Sequence, residues 1–303
     1  MLAGAGAAGL AGAGAVFASL DARAAELDRD PTLGRDLVFE DQFEHLDREI
    51  WNAGPKVSNA DPGYYGRSAF ARFGGEEGFD PYAIVDDPDA SGGTALQISA
   101  KFIGRTMTVR NYYGNDQPEF QWISGNLQTS RRDGTVTRAW RHGYFETRML
   151  FPRHPLTWPA FWLMNRCTIL APSSAIEVDV VEHKGFEPHD YGAYLHEWGE
   201  PGARHDGSAI RVSEDMTAGY NRYGVLLVDD LCAVYFNRRL VRNHATGVPA
   251  VWAISRSAEM DLTDDAFWPL ITLAILPDYP FPDPLMAEHR ETRMRVDYFQ
   301  VYA

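Results

Sequence analysis

The sequence predicts an all-β fold, an antiparallel sandwich or barrel, on three observations. Apolar residues alternate with period two in short runs, Gly, Pro, Asp and Asn separate those runs, and no long stretch carries helical periodicity. β-Branched and aromatic side chains crowd the runs, as suits a pleated, half-buried surface.

In chain order, the first predicted strands are residues 36–43 (DLVFEDQF) and 94–102 (TALQISAKF), where apolar and polar residues alternate. Residues 143–151 (GYFETRMLF), 158–164 (WPAFWLM) and 176–183 (IEVDVVEH) follow, each ending near Pro, Asn or Gly. Residues 191–198, 223–228, 232–237, 268–275 and 294–302 complete the set. Two intervening stretches, 53–90 and 104–121, are rich in Gly, Tyr, Asn and Asp and read as long loops, which in a compact domain tend to serve function. No repeat or composition break divides the chain, so residues 25–303 read as one domain.

Residues 2–20 are almost entirely Ala, Gly, Leu, Val and Phe, and Ala22-Arg23-Ala24 forms an A-x-A cleavage pattern. Residues 1–24 therefore read as a cleaved export signal, giving a secreted or periplasmic protein, although no basic n-region follows Met1. A transmembrane anchor is the alternative, but an Ala/Gly-dominated run is weakly lipophilic. The 28 basic and 42 acidic residues give a formal charge of −14, which disfavours nucleic acid and anionic membranes as partners. Cys167 and Cys232 have no metal-ligand spacing and leave either one disulfide or two buried thiols open.

The informative strand is Glu177-Val178-Asp179-Val180-Val181-Glu182. Glu177 and Asp179 are two apart and share a face, while Val178 and Val180 enter the core. Glu182, five residues from Glu177, falls on the wrong face of a regular strand. One extra residue at Val180-Val181, taken up as a β-bulge, returns it to the acidic face. Three like charges on one face repel, so the pattern needs a reason. A solvated acidic face or a calcium site are the plain ones. Retaining glycoside hydrolysis explains each residue: it needs two carboxyls about 5 to 5.5 Å apart, one attacking the anomeric carbon and one protonating the leaving oxygen. Glu177 is then the nucleophile and Glu182 the acid/base. Asp179 orients the nucleophile and, by its charge, keeps Glu182 protonated.

These residues resemble glycoside hydrolase family 16, whose signature is E-x-D-x-x-E on a bulged strand. Further segments agree: LVFEDQF with Trp51, GYFETRMLFP at 143–152, WPAFWL at 158–163 and MRVDYFQVY at 294–302. The resemblance implies a concanavalin A-like jelly roll with an open cleft on its concave face, and endo-acting, retaining hydrolysis by a monomer that needs no cofactor for catalysis. Trp158 and Trp162 share a face by period two and suit stacking on sugars, with Phe161 and Leu163 inward. His196 and Trp198 share a face on the following strand and are expected to bind substrate, His196 through sugar hydroxyls or Glu182. His183, His189 and His205 receive no role. The family frequently carries a structural calcium, which implies Asp297 as a ligand with backbone oxygens near Gln42 and Gly93.

The sequence departs from the family at Gln42, usually acidic, at Leu227, often Trp, at Thr272, often Asn, and at residues 275–280, which lack a double glycine. The bulge residue argues against the E-x-D-x-E branch of xyloglucan-modifying enzymes and lichenases. The expected substrate is a β-glucan, β-1,3 or mixed, or a related bacterial exopolysaccharide. A galactan such as agar or carrageenan, a non-catalytic carbohydrate-binding sandwich and a calcium-dependent adhesion module are the alternatives.

Overall fold

A computed structural model describes residues 26–54, 64–108, 119–131, 133–166, 175–185, 187–198, 203–254, 266–276 and 289–303. The proposed export signal and Cys167 lie outside these residues. Cys232 is a buried free thiol, and burial pushes it up to about 12. No helix among the described residues is long and apolar enough to cross a membrane.

The chain enters through β1 (Leu37–Asp41), β2 (Asn52–Ala53), β3 (Tyr64–Tyr65), β4 (Ser68–Phe70) and β5 (Tyr82–Asp86). Longer strands follow: β6 (Thr94–Thr108), β7 (Glu119–Gln128), β8 (Gly143–Leu150), β9 (Thr157–Asn165), β10 (Ile176–His183), β11 (Asp190–Glu197) and β12 (Arg204–Arg211). The chain closes with β13 (Asn221–Val228), β14 (Leu231–Phe236), β15 (Arg239–Leu240), β16 (Val251–Ala253), β17 (Phe267–Ile275) and β18 (Glu291–Tyr302). All ten predicted strands are present, with ends displaced by a few residues.

Two stacked sheets result. The back sheet runs β5-β6-β18-β8-β13-β14, with β1 along the C-terminal half of β18. The front sheet runs β2-β7-β17-β9-β10-β11-β12. β7 also pairs with β6, so it ties the two sheets together at one side. Their inner faces interlock through Phe161, Leu163, Val178 and Val180 from the front and Phe145, Val225, Val296 and Phe299 from the back. Phe161 meets Phe299 edge-on at 6.0 Å across this layer. This is the expected all-β sandwich.

The stretch 104–121, expected to be loop, is partly strand: β6 continues to Thr108 and β7 begins at Glu119. β7 was hidden because its outward face is polar yet buried. Ser124, Asn126 and Gln128 are all fully covered, and Asn126 and Gln128 donate to the Gly54 carbonyl at 2.7 and 3.0 Å. Likewise, the stretch 53–90 holds the short strands β3 to β5.

Candidate active site

The bulge in β10 is present and sets the site. On the β11 side the register runs Glu177↔His196 and Asp179↔Tyr194, then jumps to Glu182↔Gly192. On the β9 side it runs Asp179↔Trp162, then Val181↔Phe161 and Glu182↔Ala160. β10 thus spends one residue more than either neighbour, and both Val180 and Val181 turn into the core, fully buried. Glu177, Asp179 and Glu182 consequently face outward together. With Trp158, Ala160, Trp162, Thr272 and Ala274 they line one open cleft.

Electrostatics separate the three acids. Glu182 is pushed up to about 8, chiefly by burial, then by the charges of Asp179 and Glu177, so it holds its proton at neutral pH. A nearby His196 and a hydrogen bond from Trp158 oppose this shift without cancelling it. Glu177 is only half-buried, and its Oε2 accepts a 3.3 Å hydrogen bond from the Trp198 indole. Asp179 is buried, and its Oδ2 meets His196 Nε2 at 3.2 Å. One acid is kept neutral beside another held accessible and oriented. That is the division of labour in a pair that must protonate and attack in one step.

Glu177, Asp179, Glu182, Trp158, Trp162, His196 and Trp198 are therefore brought to one face, as the sequence predicts. Two details differ. Trp162 is not an open platform: only 5% exposed, it packs with Met164, Trp268 and Leu270 and donates through Nε1 to Thr272 Oγ1 at 2.8 Å. Trp162 forms the floor of the cleft, while Trp158 stays partly open. His196 engages Asp179 rather than Glu182, and its other ring nitrogen meets His205 Nδ1 at 2.7 Å.

The sequence reading missed Tyr194. Its ring lies flat over two glycines: a Cβ on Gly192 would stand 2.3 Å from the Tyr194 hydroxyl, and one on Gly207 2.5 Å from its Cδ1. Tyr194 also stacks on His196, at 5.9 Å and 14°. The cleft thus continues past Glu182 over Tyr194, Gly192 and Ala209 toward Lys184 and His244. The signal in the sequence was a glycine inside each of two neighbouring strands, Gly192 on β11 and Gly207 on β12, which mark places where something approaches the backbone closely.

Asp297 lies elsewhere, on β18 of the back sheet, and its surroundings do not fit a calcium ion. Its carboxylate accepts from Ser91 N at 2.9 Å, from Ser91 Oγ at 2.8 Å and from the Arg148 guanidinium, which also reaches the Asp89 carbonyl at 3.2 Å. The Gly93 carbonyl accepts from Asp87 N at 2.9 Å. A side-chain cation already stands where the metal was expected. Among the described residues, Glu177, Asp179 and His196 also offer atoms within 4.8 Å of one another. Both nitrogens of His196 are engaged, however, and these residues fit a hydrogen-bonded relay better than an ion.

Known proteins share this fold. No family model matches the chain. Over 186 residues, 61% of its length, the chain is 32% identical to endo-1,3-1,4-beta-glycanase EglC of Rhizobium meliloti, and it spans 34% of that relative. The catalytic domain of an endo-1,3-beta-glucanase (laminarinase) from Thermotoga petrophila superposes with a TM-score of 0.59 at 19% identity, over 89% of this chain and 98% of that one. SCLam, a non-specific endo-beta-1,3(4)-glucanase from family GH16, superposes with a TM-score of 0.63 at 18% identity, over 89% of this chain and 92% of that one. The chain shares the fold of these glucanase structures. The strand β10 is the bulged E-x-D-x-x-E element expected from the sequence.

Proposed function

We propose that the protein is an endo-acting, retaining glycoside hydrolase of β-glucan, β-1,3 or mixed, or of a related bacterial exopolysaccharide. The observation that carries this reading is the bulge, which brings Glu177 and a Glu182 pushed up to about 8 onto one open face. Relatives named as an endo-1,3-1,4-beta-glycanase and a glucan endo-1,3-beta-glucosidase support the substrate class. Glu177 attacks the anomeric carbon while Glu182 gives its proton to the departing glycosidic oxygen, leaving a glycosyl ester on Glu177. Glu182, now a carboxylate, takes a proton from water, and the resulting attack on the same carbon frees Glu177 with net retention. Trp198 holds the nucleophile by its Nε1–H, and Trp158 and Tyr194 offer aromatic surface to the flanking sugars. An open cleft admits a chain at its middle, which supports endo action. The apolar leader supports export, and N-terminal sequencing of the mature protein checks it.

The deciding experiment is a panel of β-1,3-glucan, mixed-linkage glucan, agar, carrageenan and succinoglycan-type polymers, scored for reducing ends and product size. Long intermediates from a glucan at early times, with the anomeric configuration kept, are expected. Replacing Glu177 by Ala should remove turnover and leave glycan binding. Survival of activity in Glu177→Ala contradicts the assignment, and exclusive early release of small sugars contradicts endo action.

A further inference from the structure

Three side chains form a graded line from the rim of the cleft to its buried acid. His205 on β12 is exposed, its cross-strand partner His196 is half-buried, and Asp179 is 4% exposed. His205 Nδ1 stands 2.7 Å from His196 Nδ1, and His196 Nε2 stands 3.2 Å from Asp179 Oδ2. A contact of two ring nitrogens at this distance holds one proton, with one nitrogen donating and the other accepting. In the neutral pair, His196 donates Nε2–H to Asp179 and accepts at Nδ1 from His205. With one added proton, His196 is an imidazolium that donates at both ends, and His205 accepts. A second proton would set two N–H groups against each other and break the contact.

We propose that His205 is a positioning residue: acting through His196, it forms a relay that carries a single shared proton between solvent and Asp179, beside the acid/base Glu182. The inference rests on the catalytic reading above. Among the described residues, the groups that face the relay are Glu177, Asp179 and Glu182 from β10 and Tyr194 and Trp198 from the β11 segment. From β12 only His205 faces it as a titratable group, followed by Gly207 and Ala209. Arg204 pairs instead with Glu197 at 3.3 Å and with Asp206, and these three have the opposite strand parity. Trp198 covers His205, with ring centroids 4.9 Å apart and 66° between planes, so the second imidazole is held as well as reached by solvent.

The physical consequence concerns Glu182, which feels Asp179 and His196 with opposite sign. A protonated relay offsets part of the charge on Asp179. Without His205, the imidazolium at His196 loses its acceptor, Asp179 is offset less, and Glu182 keeps its proton to higher pH. The basic limb of the kcat/KM profile moves up.

The test compares wild type with His205→Phe and His205→Asn on the polymer that gives turnover. His205→Phe is expected to move the basic limb up by about half a pH unit or more and to lower kcat with KM within about twofold. His205→Asn, whose amide lies near the position of Nδ1, restores the limb. Superimposed limbs, or an equal fall at every pH, overturn the relay. Absence of turnover in wild type instead overturns the catalytic reading. The relay is then read directly, as a hydrogen-bonded imidazole N–H resonance present in wild type and lost in His205→Phe. Its absence from wild type overturns the relay too.

Discussion

The two outer faces of this sandwich treat buried acid in opposite ways. On the back sheet Glu146 is fully buried, yet Arg238 donates to both its oxygens at 2.8 and 2.9 Å, and Tyr144 and Tyr298 add bonds at 3.0 and 2.9 Å. Asp297, also fully buried, is met by Arg148 and Ser91. On the front sheet, Glu177, Asp179 and Glu182 are crowded together, with the His196 imidazole and the Trp198 and Trp158 indoles close by. A buried carboxylate matched by a guanidinium and hydroxyls holds strands in register. One left facing other carboxylates holds a proton instead, and a proton held at neutral pH is what chemistry needs.

The contrast breaks most sharply at Glu146. Glu146→Gln leaves Arg238 without its charged partner and is expected to cost about 3–5 kcal/mol of stability, read as a lower denaturation midpoint. Molecules that remain folded should keep their activity on glucan. The mirror substitution, Glu177→Gln, should remove activity and leave the midpoint within about 0.5 kcal/mol of wild type. A destabilised Glu177→Gln would mean that the front-face acids are structural after all.

Next comes the clasp at Asp297. Arg148→Met leaves a buried carboxylate with Ser91 alone and should cost about 2–3 kcal/mol. Wild type should melt at the same temperature in calcium and in a chelator, because the guanidinium occupies the place of the ion. A rise in the wild-type melting temperature on adding calcium would show that the carboxylate exchanges its partner for metal.

What could be read in the sequence follows from how local the information was. The six residues from Glu177 to Glu182 in β10 carried their own geometry: parity, the extra valine and the flanking apolar positions all lie within one strand. The WPAFW stretch did the same for Phe161 and Leu163, but not for Trp162, whose cover comes from Thr272 and Trp268 on β17, more than a hundred residues on. β12 was illegible because it is an edge strand in which Ser208 and Ile210 alone are buried. Without β12 the pairing of His196 with His205 could not be seen. Arg148 and Asp297 are 149 residues apart and meet only through the β8–β18 register, which itself carries a bulge at Asp297.

The mildest expected effect tests the front face by stability rather than by rate. Glu182 lies near 4.5 when unfolded and near 8 when folded, so between these values the folded chain binds a proton that the unfolded chain has released. Its contribution to stability is complete below about pH 4.5, falls as pH rises toward 8, and is flat beyond. Glu182→Gln carries no such group. The variant should match wild type in urea near pH 4.5 and pull ahead on the way to pH 8, by roughly 1–2 kcal/mol, the usual scale for relieving a strained functional site. The gain should come with loss of turnover. An offset that is already present at pH 4.5 and does not grow would place the cause in packing. It would remove the argument that this face stores its charge for chemistry.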